Sequence, residues 1–263
     1  MMSRGPSRRY STVREVIAVI IAAAVLALVP RLGWCEELVV SAAVSLSNAF
    51  KELGGDFERE HADVKVLFNF GASGQLLQQI AHGAPVDVFA SADQETMDRA
   101  EAQQLILAGT RSNFVRNRLV LIVPGGATST VSSVKELKRP AVTRIAIGKP
   151  DSVPAGRYAQ EALELAGLWE TLKPKYIYGQ NVRQVLDYVE RGEVDAGFVY
   201  ATDAVVAANK VRVVTEASVQ RPILYPVAVV ATSANPARAR EFAAFLLSEP
   251  AQKTLSRYAF AKP

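Results

Sequence analysis

A short apolar run, a turn of small residues and a helical period follow one another repeatedly along this chain, and few architectures accept that order. The first unit has Leu38, Val39 and Val40 as a strand, small residues over 41–44, and a helix opening at Ser45-Leu46-Ser47-Asn48. Apolar residues at Leu46, Phe50, Leu53 and Phe57 carry the helical period. Ser45 or Ser47 is the expected N-cap. The second unit runs from an alternating strand at 64–70 through Gly71-Ala72-Ser73-Gly74-Gln75 into a helix marked by Leu76, Leu77 and Ile80. The third is a strand at 86–90, then Ser91-Ala92-Asp93 capping a helix with Met97 and Ala100. Strands alternating with helices predict an α/β fold with mostly parallel sheets and right-handed crossovers.

The pattern continues to the C-terminus. Apolar strands are expected at 119–123, 144–147, 176–178, 196–200 and 225–230. A short helix is read at 132–137. Pro154 fits the first turn of a helix carrying Tyr158, Ala162, Leu163 and Ala166. Asn181 caps one with Val182, Val185, Leu186 and Val189, and Thr202-Asp203-Ala204 starts another. Two helices close the chain, one marked by Glu241, Phe242, Phe245, Leu246 and Leu247 and one over 251–258. No fixed-period repeat, low-complexity tract or long linker is present.

Residues 1–35 stand apart. Arg4, Arg8, Arg9 and Arg14 precede an uncharged apolar run over 16–29, followed by Pro30, Arg31 and small residues near Cys35. This is the layout of a secretory signal peptide, and the run is shorter than the ~20 residues of a spanning helix. Arg8-Arg9 resembles a twin-arginine signal, although Ser11 stands where that signal favours a large apolar residue. Trp34 before Cys35 is bulky for a lipoprotein cleavage site. These residues carry a net charge of +4, which equals that of the whole 263-residue chain, so residues 36–263 are close to neutral. The basic isoelectric point therefore says nothing about nucleic acid. With Cys35 removed the chain has no cysteine, hence no disulfide, thiol nucleophile or thiolate metal site.

Four helix openings share one design: small or capping residues directly after a strand. They lie at Ser45, at 71–74, at 154–156 and at Asn181-Val182, and Tyr200 ends a further strand with a phenol. Each opening leaves bare backbone N–H groups at the positive end of a helix dipole, which suits an anion. No Lys or Arg sits at the centre of any of them, although Arg157 and Arg183 follow closely. Taken singly, each of these residues is equally a plain cap or core residue. Taken together, they describe an anion site built from neutral donors, in which hydrogen bonds to a charged acceptor contribute about 1.5–3 kcal/mol each.

The ordered stretches AAVSLSNAF, FGASGQL, GAPVDVFASADQ, FVRNRLVLIVP, VPAGRYAQEAL, NVR, FVYATDA and YPVAVV resemble the periplasmic molybdate-binding proteins of molybdate ABC transporters, over nearly all of 37–263. The resemblance implies the two-lobed type II periplasmic-binding-protein fold, each lobe a mostly parallel sheet flanked by helices, with the anion in the cleft. It implies residues 36–117 and 231–263 in lobe I, 118–230 in lobe II, and crossover strands near 119–123 and 225–230. By similarity, Ser45 and Ser73 would offer hydroxyl and backbone donors, Ala155 and Val182 backbone N–H groups, and Tyr200 its phenol. The implied function is capture of molybdate, and of tungstate of nearly equal size, in the periplasm. The anion would then pass to a membrane permease driven by an ATPase, from a monomer without cofactor or direct metal-ion ligands. Another tetrahedral oxyanion such as sulfate is the alternative. Ala72 and Gly74 flank Ser73 where some relatives have a serine run, and Ala201 follows Tyr200 where many have Gly or Lys.

Other chemistry is poorly supplied. His61 and His82 read as helix-end residues, too few for a metal cluster or a serine triad. There is no G-x-S-x-G and no P-loop. Asp87 and Asp93 read as capping and packing groups, and the run 135–139 as a solvated face. An enzyme on this frame would need a base, nucleophile or metal at the turns, and none is offered there. A ligand-sensing regulator would need a DNA-binding helix pair where the leader stands.

Overall fold

Strand β1 (Glu36–Ala43) is an inner strand of a sheet, and its last four residues are buried. It runs parallel to β2 (Val64–Gly71) on one side and β3 (Val88–Ala90) on the other. The sheet is completed by β4 (Ser112–Asn117) and β10 (Ile223–Val229), in the order β2-β1-β3-β10-β4. The second sheet holds β5 (Leu119–Pro124), β6 (Ile145–Gly148), β7 (Tyr176–Gly179), β8 (Ala196–Tyr200) and β9 (Val211–Glu216), in the order β7-β6-β8-β5-β9. In both sheets the strands joined through helices are parallel, and strands flanking a chain crossing are antiparallel. The structure, a computed structural model, describes residues 35–126 and 131–263, and residues 36–263 form one compact unit. The expected signal peptide lies outside the described residues except for Cys35, which is exposed.

The helices are α1 (Ser47–Glu60), α2 (Ser73–Ala81), α3 (Gln94–Ala102), α4 (Pro154–Leu165), α5 (Trp169–Leu172), α6 (Val182–Glu190), α7 (Ala201–Val206), α8 (Pro236–Phe245) and α9 (Glu249–Arg257), all in expected units except the four-residue α5, which the sequence pattern does not indicate. The apolar period of α1 buries Phe50, Leu53 and Phe57. Phe242 of α8 meets Phe50 and Phe57 edge-on, with ring centroids 6.2 and 5.1 Å apart. The C-terminal helices thereby return to the half of the molecule built on the first sheet.

Three further details differ from the sequence reading. β4 and β9 were not expected as strands. β4 (SNFVRN) mixes polar residues on both faces, and β9 is an edge strand with only Val211 buried, so neither shows a clean alternation. The resemblance implies a lobe II crossover for the strand at 225–230. That strand hydrogen-bonds instead between β3 and β4 in the first sheet, with a register shift at Tyr225/Pro226 where proline supplies no N–H. The strand at 119–123 likewise lies wholly within the second sheet. The chain passes between sheets at Arg118 and again over 217–222. Finally, neither Ser45 nor Ser47 caps α1. A single 3-10 turn, Val44–Leu46, precedes it, Leu46 takes the cap position, and no side chain bonds the helix start.

Candidate functional site

All five residues singled out for the anion line one void, whose cavity volume is about 10 Å³. Pockets for drug-sized ligands run to roughly 300–1,000 Å³ and a single water needs about 10–15 Å³, so this void is far too tight for a drug-sized molecule and is on the scale of one small species. Ser45, Ser73, Ala155, Val182 and Tyr200 contribute to it, and the other lining residues are Ala, Val, Gly or Pro. No lining residue carries a formal charge. A wider groove beside the chain crossings, lined by Arg116, Arg118 and Arg221, shares no residue with it.

Backbone geometry explains how distant segments reach one point. Ser73 is the first residue of α2, Ala155 the second of α4 and Val182 the first of α6. Their N–H groups fall in first turns, where no intrahelical acceptor exists. The side chain of Asn181 accepts from the Gln184 N–H at 3.0 Å, so the capping residue serves a later donor and leaves Val182. Gly156 lets α4 start hard against β6: a Cβ there would lie 2.1 Å from the Gly148 carbonyl oxygen.

Each of the two serine hydroxyls is held by a hydrogen bond from a distant segment. Ser73 Oγ accepts from the Ala92 N–H at 3.0 Å, which leaves its own proton uncommitted by that bond. Ser45 Oγ lies 3.0 Å from the hydroxyl of Tyr225, a residue the sequence reading did not assign to the site. Asn117 supports that pair from the other side. Its Oδ1 accepts from the Arg118 N–H at 2.9 Å, so Nδ2 faces the other way and donates to the Tyr225 hydroxyl at 3.1 Å and to Thr202 Oγ1 at 3.0 Å. Either hydroxyl can donate in the Ser45–Tyr225 bond; in the arrangement where the phenol, already accepting from the amide, gives its proton to Ser45 Oγ, Ser45 keeps its own proton to donate. Burial holds the Tyr225 phenol well above its usual range, against the opposing bond to Ser45. Burial also raises Tyr200, reinforced by the Tyr225 and Tyr158 phenols and the Asp93 and Asp203 carboxylates. Both phenols therefore remain O–H groups at neutral pH. The Tyr200 hydroxyl reaches the Ala92 carbonyl only at 3.5 Å, a long and weak bond.

The two arginines that follow the helix openings are each paired with a carboxylate. Arg157 Nε donates to Asp93 Oδ2 at 3.0 Å, and Asp93 Oδ1 also caps α3 by accepting from the Thr96 N–H. Arg183 Nε lies 2.7 Å from Asp203 Oδ1, close enough for an ion pair although the alignment makes no hydrogen bond. Asp203 Oδ2 accepts from the Tyr200 N–H at 3.2 Å and so ties the phenol's backbone. Burial pushes the Asp203 carboxyl up to about 6, with Arg183 and the Tyr200 N–H pulling the other way. Asp87, as expected of a packing carboxylate, accepts from the Val39 N–H and the Ser233 hydroxyl. Among the described residues no cluster of His, Cys, Asp and Glu suits a metal ion.

A compact neutral-donor void between two α/β halves, joined by two chain crossings, is the architecture of a solute-binding protein. The family model for bacterial extracellular solute-binding proteins matches residues 38–261, and the chain belongs to that family. It is similar to YvgL of Bacillus subtilis (strain 168), described as a substrate-binding lipoprotein of an ABC transporter, with 40% identity covering 85% of each chain. It is 37% identical to the molybdate-binding protein ModA of Escherichia coli (strain K12), covering 85% of this chain and 88% of that one. The solved periplasmic molybdate-binding protein of Azotobacter vinelandii shares the fold, with a TM-score of 0.77 at 24% identity over 86% of this chain and 99% of that one.

Proposed function

We propose that this protein is the exported solute-binding component of a molybdate ABC transporter, taking molybdate and also tungstate in the periplasm. The observation that carries the reading is the convergence of Ser45, Ser73, Ala155, Val182 and Tyr200 on one small void without a lining charge. A tetrahedral dianion presents only acceptors, and this wall presents hydroxyl and N–H donors fixed by helix starts and by the Tyr225–Asn117 chain. Donors come from both halves. Ser45 and Ser73 belong to segments of the first sheet, and Ala155, Val182 and Tyr200 to segments of the second. Only a closed cleft satisfies the anion from both sides, so binding favours closure about the crossings at 118 and 217–222. The closed form is what a permease, with its ATPase, would recognise on a monomeric carrier. The lobes of this reading are residues 36–117 with 223–263, and 118–222. No chemical step and no cofactor enters, and the molybdenum atom is reached only through its oxygens.

Calorimetric titration with molybdate, tungstate, sulfate and phosphate at fixed ionic strength tests the reading. Tight one-to-one binding of molybdate and tungstate, with sulfate silent, is expected. A preference for sulfate would keep the carrier role and overturn the substrate, and silence toward every oxyanion would overturn both.

A further inference from the structure

The two halves are clasped by contacts that use no atom of the void. The N–H of Gly74, next to Ser73 in α2, donates to the Ser152 carbonyl oxygen at 3.0 Å. Ser152 belongs to the turn that leads into α4, three residues before Ala155. A Cβ on Gly74 would lie 2.7 Å from that oxygen, 2.9 Å from the Ser152 Cα and 3.1 Å from its carbonyl carbon. All three are backbone atoms, which do not swing aside as a side chain would. Beside them Arg157 of α4 reaches across to Asp93 Oδ2 and, through Nη2, to Thr96 Oγ1 at 2.7 Å. Its Nη1 is held by the Pro150 carbonyl on its own side at 2.9 Å. The Asp93 side chain is 4% exposed and that of Arg157 16%, so the pair is largely withdrawn from water. Arg183 Nη2 of α6 also donates across to Asn48 Oδ1 of α1 at 2.9 Å.

We propose that Gly74 and Arg157 are positioning residues for closure: the Gly74–Ser152 backbone bond and the Arg157–Asp93–Thr96 clasp form a latch that sets how fully and how often the cleft shuts, independently of which anion lies inside. As a charged pair, Arg157 and Asp93 contribute modestly to net stability, because burying them offsets much of their attraction. Their three-point geometry is satisfied in one relative placement of the halves only. The glycine sets the distance of approach, and the ion pair sets the orientation. A binding protein whose competent state is partly populated has its apparent affinity scaled by that fraction. Latch residues therefore change affinity for every ligand by one common factor, whereas residues lining the void change the ratio between ligands.

The inference rests on the oxyanion reading for its affinity readout and on the protein alone for its shape readout. The experiment compares wild type with Gly74→Ala and Arg157→Gln by small-angle scattering without ligand and in saturating molybdate, by titration with molybdate and tungstate, and by ligand-free thermal unfolding. Gly74→Ala is expected to keep the wild-type melting temperature, to give a larger radius of gyration in molybdate, and to weaken molybdate and tungstate at least tenfold by the same factor. Arg157→Gln is expected to weaken both anions by a common factor as well. Unchanged radii with affinities within twofold of wild type in both variants would overturn the latch, as would a shift in the molybdate-to-tungstate ratio. Were Gly74→Ala to melt early, the Arg157→Gln titration would decide. Were wild type to bind no oxyanion, the functional reading would fall, and the ligand-free radii would still decide the latch: a more compact wild type supports it and equal radii overturn it.

Discussion

The serine and tyrosine hydroxyls make their contribution through polarity. Under the molybdate reading, Ser45→Ala removes one hydrogen bond to a charged acceptor, about 1.5–3 kcal/mol, and titration should find molybdate weakened roughly 10- to 150-fold. Tyr225→Phe leaves the void's lining intact and frees Ser45 to turn its proton away. A smaller loss is expected there than for Ser45→Ala, and an equal loss would assign Tyr225 a direct role. Asp203 supplies a pH signature of its own. Its carboxyl titrates near 6 in the folded protein against an ordinary 3.8, so below the ordinary value it is neutral folded or unfolded. As pH rises between those values the unfolded chain ionises first, and the folded state loses relative stability, fully so above about 6. Asp203→Asn lacks that penalty. Urea unfolding should show the variant gaining on wild type between about pH 4 and pH 7, and a constant difference would contradict the raised carboxyl.

At the scale of elements, the site depends on where helices begin. The start of α4 approaches β6 so closely that a methyl group at Gly156 collides with the Gly148 carbonyl. Gly156→Ala is expected to shift that helix start and cost at least about 2 kcal/mol by strain and overpacking, read as a lower denaturation midpoint. The strand–turn–helix units were legible because their apolar periods and caps are local: the starts of α2, α4 and α6 lie where Ser73, Pro154 and Asn181 indicated. The turn before α1 was not: a 3-10 turn takes the place of a serine cap, and the Ser45 hydroxyl is engaged with Tyr225, a neighbour 180 residues away in sequence. β4 and β9 escaped notice for a related reason. Their burial is decided by which strand lies beside them, and their own sequences do not alternate.

Across the whole molecule, charge is kept away from the void in the form of neutralised pairs, Arg157 with Asp93 and Arg183 with Asp203. An anion held by neutral donors in such a site should bind with an affinity that changes little with salt, whereas a site built on free arginines would weaken steeply. Titrations of molybdate from low to moderate ionic strength, with the same cation throughout, check this. A steep loss would show that an unpaired cation takes part.

The sequence by itself determined the α/β class, the succession of strands and helices, the neutral character of the helix openings and, through resemblance, the residues that would gather around an anion. Each of these is carried by short-range pattern: period, cap, small residue, absence of charge. Tertiary structure alone decided that β10 completes the first sheet, that the crossings fall at 118 and 217–222, that Tyr225 and Asn117 orient Ser45, and that Arg157 and Arg183 are neutralised. The reason is physical. A side chain's hydrogen-bond and ion-pair partners are chosen by folding from residues dozens to hundreds of positions away, and no local period records which of them will arrive.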